Sequence, residues 1–396
     1  MKNLAVEDAR ALVLKGLPPV GAETVLLAEC PGRVLAEAVV AARDQPPFDA
    51  SAMDGWAVRG PGPYYRIVGE SAAGHRYPRP LAAGEAVRIF TGAPVPAGAD
   101  RVVLQEDCAR AGDDVNAPAA EPGATTNIRP AGGDFRAGDM LLSAGQRLDA
   151  WRLGLAAAAG RANLLVARRP KVAILSTGEE IVPIGSVPGP DQIFNSGGPT
   201  LASLVERWGG EVVHLGQAGD DETAIADAVS ACGGEVVVTL GGASVGDHDL
   251  VKPALTRLGL DLRFITIKLR PGKPTWFGIL DDGRRVLGLP GNPASGLVCA
   301  ELFLRPLLNA LQGAAPGPKL ETAQLMRPAP ANGPREHWAR GRLATVGGIL
   351  QADIMGDQDS SLVSVFAHAD ALIRRPAGAP AAEAGAVVEV LRLDRL

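Results

Sequence analysis

The sequence predicts an α/β fold combined with β domains. A central parallel sheet with helices on both faces is preceded by a β-rich segment and followed by a small β-barrel or sandwich. Three observations carry this. Between residues 170 and 313, short apolar runs alternate with helical periodicity, the pattern of parallel strands joined by crossover helices. From about 45 to 142, and again from 320 to 396, short strand-like runs are separated by Gly- and Pro-rich turns. With 396 residues, the chain is long enough for two to four domains at roughly 150 residues each.

The elements follow in order. Residues 4–15 read as a helix with Val6, Ala9 and Val13 on one face and Gly16 as its stop. Residues 33–42 fit strand or helix equally, and Pro46-Pro47 marks a boundary. EAVRIF (85–90) and DRVVLQED (100–107) read as strands, 109–124 as a surface loop, and 149–159 as a helix ending at Gly160. KVAIL (171–175) reads as a buried strand, and EVVHL (211–215), EVVVTL (235–240), LRFITIK (262–268) and RVLGL (285–289) read as further strands. Helices are expected at 196–210, at 220–232 with Asp220 as N-cap, at 249–259 and at 295–313. After the linker 314–319, ETAQLM, HWARGRLA, ILQADIM and AVVEVLRL form the last domain.

Composition excludes several classes. Lys+Arg 39 against Asp+Glu 44 gives a net charge of −5, which argues against a nucleic-acid coat or a basic membrane-surface protein. Phe 8, Trp 5 and Tyr 3 are too few for base-stacking platforms along a strand of nucleic acid. No run of ~18 uninterrupted apolar residues is present, so no membrane span is expected. The start carries Glu7 and Asp8 and no apolar signal core, so a cytoplasmic location is expected. The four cysteines and five histidines are scattered, which leaves no zinc or disulfide pattern. There is no P-loop, no strand-linked GxGxxG and no GxSxG elbow.

Ligands of open parallel sheets bind beyond the carboxyl ends of the strands. The segments after the five strands are therefore the candidate site. They are Ser176-Thr177-Gly178-Glu179-Glu180, Gly219-Asp220-Asp221, Gly241-Gly242-Ala243-Ser244 through Asp249, Arg270-Pro271-Gly272-Lys273-Pro274, and Pro290-Gly291-Asn292-Pro293-Ala294-Ser295. GGASVG lets backbone N–H groups approach an anion, or is simply a tight turn. LPGNPAS is either a ligand-contacting loop or a helix-start turn. Glu180, Asp220 and Asp249 suit Mg²⁺ with phosphate oxygens, or cap helices. Lys268, Arg270 and Lys273 concentrate two of the chain's seven lysines in six residues. Cations and amide-rich loops beside carboxylates are what a phosphate ester with Mg²⁺ requires. A second constellation lies in the β-rich segment: Asp49 and Asp54, Thr91 and Gly92, Arg129 and Asp134.

Eight ordered motifs carry a resemblance: PPFDASAMDGWAV (46–58), RIFTGAPVPAGAD (88–100), NIRPAGGDFRAGD (127–139), ILSTGEEI (174–181), GQAGDD (216–221), GGASVGDHDLVK (241–252), RPGKPTWFG (270–278) and LGLPGNPASG (287–296). In these the chain resembles the MoeA family of molybdopterin molybdenumtransferases, which includes the gephyrin E domain.

The resemblance implies an elongated four-domain homodimer. Its parts would be a discontinuous dimerisation domain (1–44 with 143–169), a β-rich domain (45–142), a molybdopterin-binding α/β domain (170–318) and a C-terminal β-barrel (319–396). The implied reaction inserts molybdate into adenylylated molybdopterin with Mg²⁺-dependent release of AMP. Asp54, Asp134, Asp249, Arg270 and Lys273 match family catalytic positions. Thr91, Arg129, Gly241, Gly242, Ser244, Pro290, Gly291, Asn292, Pro293, Ser295, Arg340 and Ser361 (or Ser360) match substrate positions. Glu180, Asp220 and Asp249 match the acidic positions linked to Mg²⁺. Implied partners are the molybdopterin adenylyltransferase and molybdoenzyme apoproteins or their chaperones, with no nucleic acid and no membrane.

The chain departs from the pattern in three places. Glu179 stands for Asp, Arg270 for Lys, and Thr266 for a further family lysine, which Lys268 could replace from the same face of a strand. Two other readings use the same domains: a dimeric scaffold without turnover, and a different nucleotide-processing enzyme. Relatives of the second kind lack the SAMDG domain present here.

Overall fold

The computed structural model describes residues 1–242 and 250–393. The chain divides into two compact units. Unit 1 comprises 1–24, 32–36 and 165–396, and unit 2 comprises 25–31 and 37–164.

Helix α1 (Val6–Leu14) opens unit 1. Its buried residues are Val6, Ala9 and Val13, the face that the spacing predicts. Gly16, at φ +64°, ends it in a left-handed turn. The buried Arg285 guanidinium donates to the carbonyl oxygens of Val13, Lys15 and Gly16 at 3.1, 3.0 and 3.0 Å, which satisfies the helix end.

Unit 2 is built on a six-stranded sheet. Its strands are β1 (Gly55–Val58), β2 (Tyr64–Ser71), β3 (Glu85–Ile89), β4 (Arg101–Leu104), β5 (Ala109–Ala111) and β6 (Asp114–Asn116), in the order β4-β1-β3-β2-β6-β5. Ala57, Val87, Ile89 and Val102 pack one face, and Trp56, Val58, Tyr65 and Val103 the other. The strand expected at 100–107 stops at Leu104 and continues as a 3₁₀ turn. Helix α2 (Ala150–Ala158) is N-capped by Asp149, which accepts from Arg152 N.

The rest of unit 1 contains the central sheet and a barrel. The central sheet joins β7 (Lys171–Thr177), β8 (Glu211–Ala218), β9 (Val236–Leu240), β10 (Asp261–Phe264), β11 (Trp276–Ile279) and β12 (Arg285–Leu289) in the order β8-β7-β9-β12-β11-β10. It is mixed rather than parallel. β11 runs antiparallel to both β12 and β10, while the other five strands share one direction. The common rim of five strand ends therefore survives. The reversed strand starts at that rim, so the RPGKP segment turns there instead of leading into a helix. β10 also ends at Phe264, so Lys268 does not extend the strand.

Helices α3 (Gly197–Arg207), α4 (Glu222–Ala231) and α5 (Val251–Thr256) flank the sheet. α6 (Pro293–Leu311) is long and apolar enough to cross a membrane, but 83% of its most apolar 18-residue stretch is buried within the molecule, which makes it the core helix. Its middle turn, Ala300–Leu304, is a π-helix. The core joins α6 and α1 to β7, β9 and β12.

The barrel comprises β13 (Leu320–Leu325), β14 (Glu336–Val346), β15 (Ile349–Ile354), β16 (Ala371–Arg375) and β17 (Val387–Arg392). It closes in the order β14-β15-β13-β17-β16 and back to β14. Short helix α7 (Val363–His368) lies between β15 and β16.

Candidate active site

Two cavities open at the rim of unit 1. The first, about 970 Å³, is lined by the RPGKP loop, Pro290, Asn292, Ser295 and barrel residues that include Arg327, Arg335, His337, Arg375 and 353–360. The second, about 840 Å³, is lined by Ser176–Gly178, Glu180, Asp220, Gly241, Gly242, Thr266, Gly291, Pro293 and Ser361, with an apolar side at Ile181, Ile193 and Phe194. Lys273, Pro274, Pro290 and Asn292 line both, so the cavities adjoin.

The glycines of the second cavity have a steric reason. Gly241 sits at φ +97°, and a Cβ there would lie 2.5 Å from the Thr177 carbonyl oxygen. Gly242 sits at φ +57°, and its Cβ would meet Val251 Cγ2 at 2.2 Å. The ends of β7 and β9 thus approach backbone to backbone. Gly291 is different: a Cβ there would be at ordinary contact distance, 3.4 Å from Gly241 Cα.

The N-cap of α4 is Asp221, not Asp220. Asp221 Oδ1 accepts from Ala224 N at 2.7 Å. Asp220 is left exposed in the cavity wall with Glu180. Among the described residues, no group of three or more His, Cys, Asp or Glu side chains could hold a metal. Ser244 and Asp249 lie outside the described residues.

The first cavity is cationic. The pair Leu269–Arg270 runs along β14, setting Arg270 opposite His337, which in turn faces Arg375 on β16. Arg327 is neutralised by a two-pronged pair with Asp353 at 2.7 Å. The Arg270 and Lys273 side chains have no hydrogen-bond or ion-pair partner among the described residues. Burial, then the Arg270, Arg340, Arg335 and Arg375 guanidiniums, push the His337 imidazole down to about 4, and its buried Nε2 has no partner. Beneath the RPGKP loop, Thr275 Oγ1 donates to Gly272 O at 2.8 Å and lies 3.0 Å from Cys299 Sγ.

The barrel's 357–361 loop is tied down from both sides. Ser361 N and Oγ donate to Asp359 Oδ1 at 2.8 and 2.7 Å. Arg340 is fully buried and lines neither cavity. Its Nη2 donates to Asp359 O at 2.8 Å, and its backbone exchanges bonds with the Gln358 side chain. Thr266 does line the second cavity but is engaged by Asn3, whose N donates to Thr266 Oγ1 at 2.8 Å. Lys268 lines neither cavity. Sequence reasoning passed over His337, Arg335, Arg375 and Phe194. The basic spacing around HWARGR was the signal for His337 and Arg335, and the aromatic just before the 196–210 helix for Phe194, whereas nothing local pointed to Arg375.

In unit 2, Ser51 Oγ donates to Met53 O at 2.6 Å and shapes the turn that presents Asp54. Thr91 N and Oγ1 donate to Asp54 Oδ1 at 2.7 and 2.8 Å, holding its carboxyl below the usual range. Ser51 pairs with Ile128 and Ala50 with Arg129, and Gly92 N donates to Ser51 O at 2.8 Å. The three motifs therefore meet, with Asp54, Arg129 and Asp134 exposed.

This geometry has relatives. Three family models match in order: the MoeA N-terminal region (domain I and II) at 4–160, a probable molybdopterin binding domain at 173–310, and the MoeA C-terminal region (domain IV) at 322–393. A molybdopterin molybdenumtransferase of Haemophilus influenzae is 36% identical over 78% of both chains. One from Nostoc is 33% identical over 98% of this chain and 94% of its own. The chain belongs to the MoeA family. A crystal structure of a MoeA protein from Pyrococcus horikoshii superposes with a TM-score of 0.84 at 26% identity, covering 99% of this chain and all of that one. Family membership places the chain in molybdenum cofactor biosynthesis. Within this MoeA-family chain, the stretch matched by the probable molybdopterin binding domain supplies the glycine loops and acids of the second cavity, and the domain IV stretch supplies the far wall of the first.

Proposed function

We propose that this chain is a molybdopterin molybdenumtransferase that inserts molybdate into adenylylated molybdopterin, with Mg²⁺-dependent release of AMP. The observation that carries the reading is the junction of two unlike cavities at Lys273 and Asn292. One cavity offers carboxylates and close-approach glycines, and the other offers Arg270 and Lys273, whose side chains have no ion-pair partner among the described residues.

Each side suits one part of the chemistry. Molybdate is a tetrahedral dianion and needs cations and hydroxyl or N–H donors. Arg270, Lys273 and Ser295 provide them on the first cavity. The Gly241-Gly242 and Pro290–Pro293 loops would seat the nucleotide-bearing substrate in the second, with Asn292 and Ser361 at its edge. Mg²⁺ takes one or two carboxylates and completes its shell with phosphate oxygens and water, so Glu180 and Asp220 fit as its protein ligands, and Asp249 is a further candidate. When bound, it would offset negative charge at the pyrophosphate linkage.

Arg340 acts through the 357–361 loop that it holds, rather than by touching substrate. Asp54, Asp134, Thr91 and Arg129 are assigned to a site completed by a second copy in a homodimer. Their exposure and the preset Asp54–Thr91 pair support that assignment.

The test is reconstitution. Purified chain is supplied with adenylylated molybdopterin, Mg²⁺ and molybdate, and then mixed with an apo-molybdoenzyme. Recovered enzyme activity that requires this chain supports the proposal. No recovery from a folded, substrate-binding chain would favour a scaffold.

A further inference from the structure

We propose that Phe194 is the stacking platform for the flat bicyclic heterocycle of the substrate, an inference that rests on the reading of the second cavity as the substrate cavity. Phe194 is the only aromatic side chain among the described residues lining that cavity. The chain has few aromatics to spare, yet Phe194 is 46% exposed and its neighbour Ile193 58%. Exposed apolar surface of this kind inside a concave wall is covered when a ligand binds.

The backbone that carries the platform is anchored although the ring's face is bare. Ile181–Val182 pairs with Ile193–Phe194 in a two-strand ladder. Ile193 N donates to Glu180 O at 2.7 Å, and Asn195 N to Val182 O at 2.9 Å. Asn195 Nδ2 donates to Ser176 Oγ at 3.0 Å, while its Oδ1 accepts from Gly198 N at 3.0 Å at the start of α3. Phe194 is thus bracketed by anchored residues on both sides. A two-χ aromatic side chain on an anchored backbone binds a flat heteroaromatic face at low entropic cost. Glu180 is joined to the platform through the same ladder, so a ring on Phe194 would leave its phosphate chain near the carboxylates.

Both halves of the proposed substrate carry such a heterocycle, a purine in AMP and a pterin in molybdopterin. The experiment separates them. AMP and molybdopterin are titrated separately, with Mg²⁺, against the wild-type chain, Phe194→Ala and Phe194→Tyr. The thermal midpoint of each variant confirms folding. Base stacking lost on truncation to alanine weakens binding about ten-fold or more. The expected result is that loss in Phe194→Ala for one ligand, with Phe194→Tyr within about two-fold of wild type. A loss for AMP assigns the purine, and a loss for molybdopterin assigns the pterin. Wild-type binding of either ligand with undiminished binding of both in Phe194→Ala overturns the inference and leaves the substrate cavity standing. Binding of neither ligand to wild type overturns both.

Discussion

Asn292 donates its side-chain amide to Ser360 Oγ at 2.9 Å, while Ala294 N donates to Ser360 O at 3.0 Å. These bonds join the start of α6 to the barrel's 357–361 loop at the point where both cavities meet. Asn292→Ala removes one of them at an exposed position. Stability should change by less than about 0.5 kcal/mol, as for ordinary surface positions. Turnover should fall several-fold, because the junction loosens. Steady-state kinetics beside a denaturation curve check this, and a parallel loss of stability and turnover would count against the junction.

Two glycines of the rim should respond differently to alanine. Gly241→Ala forces a Cβ toward the Thr177 carbonyl at a positive φ, and should cost on the order of 1–3 kcal/mol. Gly291→Ala meets only ordinary contact and should be nearly neutral for folding. Chemical denaturation of the pair settles the order.

Thr275 lies under the RPGKP loop, fully buried. Thr275→Val keeps the shape but leaves the Gly272 carbonyl without the hydroxyl, at a cost of about 1–3 kcal/mol. Thr275→Ser retains the hydroxyl and should recover molybdate affinity. A serine variant as impaired as the valine variant would show that packing, not the bond, positions Lys273.

His337 makes stability pH-dependent. Its folded value is depressed to about 4 from the ordinary 6.5. Between those values the unfolded chain binds a proton that the native imidazole refuses. Stability therefore falls as pH drops from 6.5 toward 4, by at most roughly 3 kcal/mol. His337→Gln should flatten that limb in urea denaturation measured across the window. An unchanged slope would place the titration elsewhere.

The rim was legible in the sequence because each loop lies beyond the end of a strand-like run, and the shared direction of those strands sends such loops to one edge. The reversal at β11 was not legible. Trp276–Ile279 is an apolar run like its parallel neighbours, and only pairing reveals its direction. Asp220 and Asp221 are chemically alike, so the capping role could be assigned only from the bond to Ala224 N. Arg340 matched a substrate position by motif, yet the closing of β14 on β16 buries it. The row Arg270–His337–Arg375, two guanidiniums flanking a neutral imidazole, draws on three strands distant in sequence, and no local spacing encodes it.

The most direct measurement is AMP release in a single turnover, with Mg²⁺ and adenylylated molybdopterin, in the presence and absence of molybdate. The account predicts release that molybdate stimulates in the wild-type chain and that Lys273→Ala loses while still binding the nucleotide substrate. Release at the same rate without molybdate, or undiminished in Lys273→Ala, would contradict the coupling of the two cavities.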